Sequence, residues 1–256
     1  MSKALKTLIV FITVIIIIPR SYGQENFTSG FILSNSGDSL KGFIDYRDWE
    51  KNPNLISFKE TLESEEVNYT PLEIRGFGTE GEIYKSAVID SEISPYKDGY
   101  LLEDKTLKIV KDTTFLLTII EGPKSLYSYI NYQGKSQYYI KINDRYELLV
   151  HKKYLYDTGK NRIVKENLKY IGQLSLYLSN YTDFQEISYN LKYTFRSLEK
   201  LFLDYYQSKN LNYSYHKSVK KGLHKFGILG GLSLNTIRVS SENLEYLEEA
   251  EYGLSP

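Results

Sequence analysis

Short apolar runs separated by turn residues follow one another along residues 24–156, a pattern that predicts an antiparallel β meander or a small sandwich. In the first of them, Gly30–Tyr46, two apolar runs flank the polar tetrapeptide Asn35–Asp38. Asn, Gly and Asp accept the backbone angles of tight turns, so this pattern predicts a β-hairpin. A second hairpin is predicted over Leu126–Ile142, with its turn at Gln133–Lys135. Further strands are predicted at Leu55–Lys59, Val67–Thr70, Ile74–Phe77, Ile83–Ile89, Leu107–Ile120 and Tyr146–Val150.

The hydrophobic period changes after Asn167. Apolar residues then recur three or four positions apart, as one face of an α-helix requires. They are Leu168, Ile171, Leu174 and Leu178, followed by Leu198, Leu201, Phe202 and Tyr205. We therefore predict helices near residues 167–180 and 195–207, within a helical segment, residues 157–210, of the same domain. A polar, basic linker is expected over residues 211–224.

The pattern at the start of the chain is typical of a secretory signal peptide over residues 1–23. Lys3 and Lys6 form a basic front, and the apolar run Leu8–Ile18 follows. This run is too short to cross a bilayer core of about 30 Å as a helix. Small residues then precede Gln24, where we expect signal peptidase to cleave.

The C-terminal part of the chain alternates apolar residues with small or polar ones. Between Lys225 and Asn235 the apolar positions are Phe226, Ile228, Leu232 and Leu234. A transmembrane β-strand shows this alternation because one side meets lipid and the other meets a polar lumen. We expect residues 225–256 to begin an outer-membrane β-barrel. A barrel needs at least about eight strands of about ten residues, so the chain is expected to be a fragment of a longer protein.

Composition excludes some partners and suggests a compartment. Lys plus Arg and Asp plus Glu number 32 each, so no net charge favours nucleic acid. The chain has no cysteine, which is unusual for a eukaryotic secreted domain and favours a bacterial envelope. Its 25 tyrosines suit a pleated β surface with packed rings and hydroxyls in water. A platform of exposed rings for glycan or peptide is the alternative interpretation.

Several segments resemble a known family. The Lys225–Asn235 strand resembles the opening strand of the Bacteroidota outer-membrane β-barrel proteins, the PorT-like or porin family group. Gly42–Pro53, Ile56–Phe58 and Tyr69–Leu72 resemble the uncharacterised exported domain that precedes such barrels, and Ser197–Tyr206 resembles the helix that closes that domain. The resemblance implies a location and an architecture, since none of these motifs is a catalytic signature.

Candidate chemistry is sparse. Gly134-Lys135-Ser136 lacks the earlier glycine of a phosphate-binding loop, because Tyr129 stands there. The three histidines show no metal-ligand spacing, so we expect no cofactor and no metal. One local cluster combines carboxylates with an aromatic ring: Asp45, Asp48 and Glu50 surround Trp49, the only tryptophan. Trp49, Asp45 and Asp48 form a possible ligand platform on which a sugar stacks, or Trp49 anchors its loop to the core.

These patterns together predict an α+β fold, mainly antiparallel β. A Tyr-rich β-rich domain (residues 24–156) would precede two helices and the first strand of an incomplete transmembrane β-barrel. The leading hypothesis is a non-catalytic cell-envelope protein in the periplasm and outer membrane of a Gram-negative bacterium. It would meet membrane lipid through its C-terminal strand and have a structural, transport-associated or partner-binding role, with an envelope protein or glycan as partner. A secreted glycan- or peptide-binding module and an envelope hydrolase with paired carboxylates remain alternatives.

Overall fold

A computed structural model describes residues 26–217. The predicted signal peptide (1–23) and barrel strand (225–256) lie outside the described residues. The strands are β1 (Phe27–Ser34), β2 (Ser39–Asp45), β3 (Ile56–Lys59), β4 (Val67–Tyr69), β5 (Ile74–Thr79), β6 (Glu82–Glu92), β7 (Ile109–Glu121), β8 (Leu126–Ile130), β9 (Ser136–Ile142), β10 (Arg145–Leu148), β11 (Lys152–Asp157), β12 (Arg162–Asn167) and β13 (Tyr215–His216). The helices are α1 (Lys169–Tyr177), α2 (Phe184–Ser188) and α3 (Phe195–Ser208).

Most strands form one antiparallel sheet of eleven strands. Its order is β10-β9-β8-β7-β6-β5-β1-β2-β3-β4, and β13 pairs with the end of β7. The two predicted hairpins are β1–β2 and β8–β9. Gly37 and Gly134 take positive φ values of 101° and 81° in their turns, a conformation that suits glycine. The prediction of a mainly antiparallel β fold with a few helices is therefore confirmed.

The strands β6 to β10 curl so that β10 lies beside β6. Side chains from β9 reach the edge of β6 and replace a backbone ladder there. Gln137 Oε1 accepts the Glu92 N–H at 2.8 Å, and the Tyr139 hydroxyl donates to the Asp90 carbonyl at 2.9 Å. The interior of this curl is apolar and aromatic, with Ala87, Ile89, Leu116, Tyr127, Tyr129, Tyr139 and Leu148 buried together.

Two further cores cover the rest of the sheet. The N-terminal strands enclose Ile32, Ile44, Ile56, Phe58, Ile74, Phe77, Tyr84 and Phe115. The three helices pack on β7, β8 and β9, where α3 buries Leu198, Leu201, Phe202, Tyr205 and Tyr206. Because these residues recur three or four apart, the helical period predicted for this segment marks the buried face of α3.

The sequence pattern predicts that the tyrosine hydroxyls stay in water, but several of them are buried. These hydroxyls form hydrogen bonds with backbone groups of other elements. The Tyr170 hydroxyl donates to the Leu191 carbonyl at 2.7 Å, and the Tyr193 hydroxyl donates to the Leu149 carbonyl at 2.6 Å. A buried hydroxyl without a partner would be costly, and these bonds remove that cost.

Three elements differ from the sequence prediction. The segment 157–210, predicted as helical, begins with β12, which pairs with β11 around a turn at Asp157–Asn161. This pairing escaped prediction because the second strand ends in polar residues and its partner lies in the neighbouring segment. The short helix α2 was not predicted, since five residues carry too little periodicity. In the predicted linker 211–224, the described part forms β13, because Tyr215 and His216 pair with β7.

Candidate ligand-binding site

A cleft of about 250 Å³ lies on the face of the sheet that the helices also cover; we call it the Trp49 cleft. Its floor is a row of side chains that crosses four adjacent strands in register. That row is Tyr84, Leu117, Ser128 and Tyr138. Its rim comes from the loop after β2 (Trp49–Asn52), from Glu82, from Phe195 at the start of α3 and from Lys217 after β13. Residues distant in sequence therefore meet at this cleft.

Trp49 is fixed against the core and also lines the cleft. Its ring makes edge-to-face contacts with Tyr46, Phe77 and Tyr84, at centroid distances of 5.1, 5.6 and 5.7 Å. The side chain remains half-buried. Edge-to-face pairs of this kind hold an aromatic ring in a defined orientation. Trp49 therefore packs against the core, as one of its two sequence-based interpretations expects, and also lines the cleft; the stacking of a sugar on its ring stays a prediction.

The other two residues of the predicted platform, Asp45 and Asp48, do not line the cleft. Asp45 is buried at the end of β2, and its Oδ2 accepts a hydrogen bond from Arg47 Nε at 2.6 Å. Asp48 is exposed, with a positive φ of 44° that turns the chain toward Trp49. Asp48 also approaches the hydroxyl of Tyr46, whose pKa is raised by burial and by the nearby carboxylates. Both aspartates thus shape the loop that presents Trp49.

Asn52 fixes the position of this loop by replacing a bond between β7 and β8. Continuing the β7–β8 register past the Leu117–Ser128 pair would place Phe115 opposite Ile130. Instead, Asn52 Nδ2 donates to the Phe115 carbonyl at 2.7 Å, and Asn52 Oδ1 accepts the Ile130 N–H at 2.9 Å. The side-chain amide therefore satisfies two backbone groups that the diverging strands leave unpaired.

An ion pair forms one wall of the cleft. Lys217 Nζ lies 2.5 Å from Glu82 Oε1, and the Tyr84 hydroxyl donates to Glu82 Oε2 at 2.7 Å. Burial and the Glu82 charge together raise the pKa of Tyr84, so this phenol stays protonated. Glu82 and Lys217 are 135 positions apart, and no local motif predicted their meeting.

The chemistry available in the cleft is aromatic and hydrogen-bonding. Trp49, Tyr84, Tyr138 and Phe195 supply rings, and burial raises the pKa of Tyr138 to about 12. Of the two carboxylates that line the cleft, Glu82 is already bound to Lys217 and Tyr84. Between residues 26 and 217, no group of three or more His, Asp or Glu side chains is placed to hold a metal ion.

In the part of the chain that the structure describes, no helix is both long and apolar enough to cross a membrane. Comparisons with protein-family models, with curated proteins and with solved structures find no match to the chain.

Proposed function

We propose that this chain is a non-catalytic bacterial cell-envelope protein, exported to the periplasm and attached to the outer membrane, whose domain binds a glycan in the Trp49 cleft. One observation carries the binding proposal: the orientation of the Trp49 ring is fixed by three aromatic neighbours beside a floor that includes the hydroxyl-bearing Ser128 and Tyr138. Sugars present apolar ring faces and polar edges, and sites with aromatic walls and a few polar groups bind such molecules.

The size of the cleft limits what it accepts. Pockets that enclose a drug-sized ligand measure roughly 300–1,000 Å³, and the Trp49 cleft is smaller, at about 250 Å³. It matches one ring of a longer chain, with the neighbouring rings outside the cleft. An interior or terminal sugar of an envelope polysaccharide fits this description.

We propose a non-catalytic role because only one of the two carboxylates that line the cleft is not engaged by another side chain described there. Glycoside hydrolysis uses two carboxyl groups on opposite sides of the scissile bond. In the cleft, Glu82 is engaged by Lys217 and by the Tyr84 hydroxyl, which leaves Glu50 as the other carboxylate on the rim. Incubation of bound glycans with the full-length protein is expected to release no shorter products. Release of reducing ends would favour the hydrolase instead.

The proposed location is supported by sequence patterns alone, the basic and apolar pattern of residues 1–23 and the alternation at Phe226–Asn235. Expression of the full-length gene in a Gram-negative host, followed by membrane fractionation, tests it. We expect the protein in the outer-membrane fraction. Recovery entirely in the soluble periplasm would contradict attachment to the membrane.

A carbohydrate array tests the glycan proposal. The Trp49→Ala variant is expected to lose at least tenfold in affinity for the bound glycan, because the stacking ring is removed. Tyr100→Ala is the matched control, since Tyr100 is also aromatic but 73% exposed and outside the cleft. If the parent protein and Trp49→Ala bind the glycans on the array equally well, the Trp49 cleft is not the glycan-binding site.

A further inference from the structure

Strand β7 has one edge that is only partly paired. Along an antiparallel strand, the N–H and C=O groups of successive residues point to opposite sides. The register with β6 pairs Val110 with Ser91, and Asp112 with Ile89. The Phe115 carbonyl points the other way, toward Asn52. By this alternation, the backbone groups of Ile109, Lys111 and Thr113 also point away from β6.

Nothing in residues 26–217 forms a ladder with these outward groups. The pairing of β8 with β7 starts only at Leu117, and β13 pairs beyond it, at Ile120 and Glu121. Asn52 supplies the bond to Phe115, where β8 first diverges. Residues 109–113 therefore form a sheet edge that no other described strand pairs with, which we call the β7 edge.

The β7 edge opens onto a groove of about 380 Å³. Asp112, Thr113 and Thr114 line one side, and Tyr129, Ile130 and Tyr132 line the other. The loop around Lys51 closes one end, because Lys51 Nζ donates to the Tyr132 carbonyl at 2.8 Å. The opposite end is open: Ile109 and Val110 are 42% and 40% exposed. The groove thus exposes unpaired main chain beside apolar and hydroxyl-bearing side chains.

We infer that the β7 edge is a strand-addition site, which pairs with an extended peptide segment of another protein. Exposed sheet edges bind extended peptides through main-chain hydrogen bonds, and pockets for alternate side chains add specificity. Main-chain groups recognise main chain, so the occupant is a peptide, unlike the ligand proposed for the Trp49 cleft. The side-chain amide of Asn52 already bonds the Phe115 carbonyl and the Ile130 N–H, as the backbone of an added strand would do.

The composition of the edge indicates the peptide's character. Lys111 is directly opposite Asp90 on β6, with 2.7 Å between Lys111 Nζ and Asp90 Oδ1. Opposite charges across strands are favourable, so an acidic residue opposite Lys111 would extend this ladder on the other side. Ile109 and Val110 favour β-branched neighbours in the added strand.

A second copy of this chain fits the edge poorly. The residues whose backbone groups point away from β6 are odd-numbered. In a symmetric antiparallel pair of two copies, these residues must therefore lie opposite odd-numbered residues of the other copy. The register that pairs the whole free stretch, residues 109–113, with its own copy then places Lys111 opposite Lys111. Like charges directly opposite one another are destabilising. The edge therefore favours a different chain as its partner.

Phage display of random peptides on the full-length protein tests the inference. Selected peptides are then synthesised and their binding compared between the parent chain and Thr113→Pro. Proline removes the outward N–H of Thr113 and is tolerated where a strand's N–H faces solvent. We expect at least tenfold weaker binding to Thr113→Pro and unchanged binding to Tyr100→Ala, because Tyr100 is largely exposed and lies outside the groove. Thr114→Pro is the matched control, since the N–H of Thr114 points toward β6, and it should destabilise the sheet itself.

Hydrogen exchange on the unaltered chain gives a second, independent readout. Without peptide, the amides of Lys111 and Thr113 should exchange much faster than those of Val110 and Asp112. Bound peptide should slow exchange at Lys111 and Thr113 specifically. Peptides that bind Thr113→Pro equally well, selection of no peptide that protects these amides, or a dimer that Thr113→Pro dissociates would each overturn the inference. Loss of glycan binding alone would leave it standing, because Trp49 lines only the cleft and Thr113 lines only the groove, although Lys51, Asn52 and Ile130 border both.

Discussion

The hydroxyl of Tyr206 satisfies both backbone polar groups of Lys124. It accepts the Lys124 N–H at 3.0 Å and donates to the Lys124 carbonyl at 2.7 Å. Tyr177 acts similarly one residue later, accepting the Ser125 N–H at 2.9 Å. Tyr177 of α1 and Tyr206 of α3 thus hold the helices on the turn between β7 and β8, which gives these two tyrosines a structural role.

Replacing Tyr206 with Phe should destabilise the domain by about 1–2 kcal/mol, because two backbone groups of Lys124 lose their partner. The ring and its packing remain, so the effect isolates the hydroxyl. Tyr100→Phe is the control, since Tyr100 is largely exposed, and should change the free energy of unfolding by less than about 0.5 kcal/mol. Urea denaturation measures both, and equal stability of the two variants would contradict this role.

Alkaline pH should unfold the domain through its buried tyrosines. Burial raises the pKa of Tyr138 and Tyr146 to about 12, and raises those of Tyr84, Tyr127 and Tyr139 further. In the unfolded chain these phenols ionise near pH 10, so the unfolded state releases protons first. The stabilising contribution is complete below about pH 10 and is lost as pH rises toward about 12.

Urea midpoints measured at increasing pH test this expectation. We expect a flat region near neutrality and a steep fall above about pH 10, together with a separate increase in phenolate absorbance, from the buried tyrosines, that coincides with unfolding. Absorbance that reaches its full value for all tyrosines before unfolding would show that the buried hydroxyls are accessible in the folded state.

A buried ion pair joins β6 to the turn before β9. Lys135 Nζ bonds the Glu92 carboxylate, and both side chains are buried. Burial opposes ionisation of Glu92, but the bonds from Lys135 and Ser94 outweigh it and hold the Glu92 pKa below its usual value. Lys135→Met would leave this carboxylate buried without its cation, at a cost of about 3–5 kcal/mol.

The matched control for that variant is Lys200→Met, which breaks the exposed pair with Asp204 on α3 and should cost no more than about 0.5 kcal/mol. Adding Glu92→Gln to Lys135→Met should recover part of the loss, because the unpaired charge disappears. A double variant less stable than Lys135→Met alone would show that the unpaired charge of Glu92 does not cause the destabilisation.

Hydrophobic period predicted much of this fold because it is a local property. The hairpins β1–β2 and β8–β9 carry their turn residues between their own strands, and α1 and α3 carry their buried faces within one segment. The pairing of Tyr215 and His216 with β7 has no such local signal, because two residues in a polar stretch show no alternation.

The candidate site likewise contains residues that the sequence could predict and residues that only the structure could identify. Trp49 could be selected from sequence because it is the only tryptophan and stands in a loop rich in carboxylates. Its neighbours Asp45 and Asp48 shape the loop, whereas Glu82 on β6 and Lys217 after β13 complete the wall through an ion pair. Asn52 precedes a proline and looks like an ordinary loop residue, so its role between β7 and β8 required the structure.

Asn52→Ala should cost about 1–3 kcal/mol, since the Phe115 carbonyl and the Ile130 N–H would lose their partner. The amide of Ile130 should then exchange faster with solvent, and the Trp49 loop should move. Asn54→Ala, an exposed asparagine of the same loop, is the control and should have little effect. Unchanged Ile130 exchange in Asn52→Ala would refute this account of the loop.

Glycan binding in the Trp49 cleft is tested most directly by the fluorescence of Trp49, the only tryptophan in the chain. Titration of the full-length protein with soluble oligosaccharides of N-acetylglucosamine, glucose and mannose should give a saturable change in emission for at least one of them, unchanged in Thr113→Pro. Emission that stays constant across this panel, with equal array binding by Trp49→Ala, would contradict the proposal.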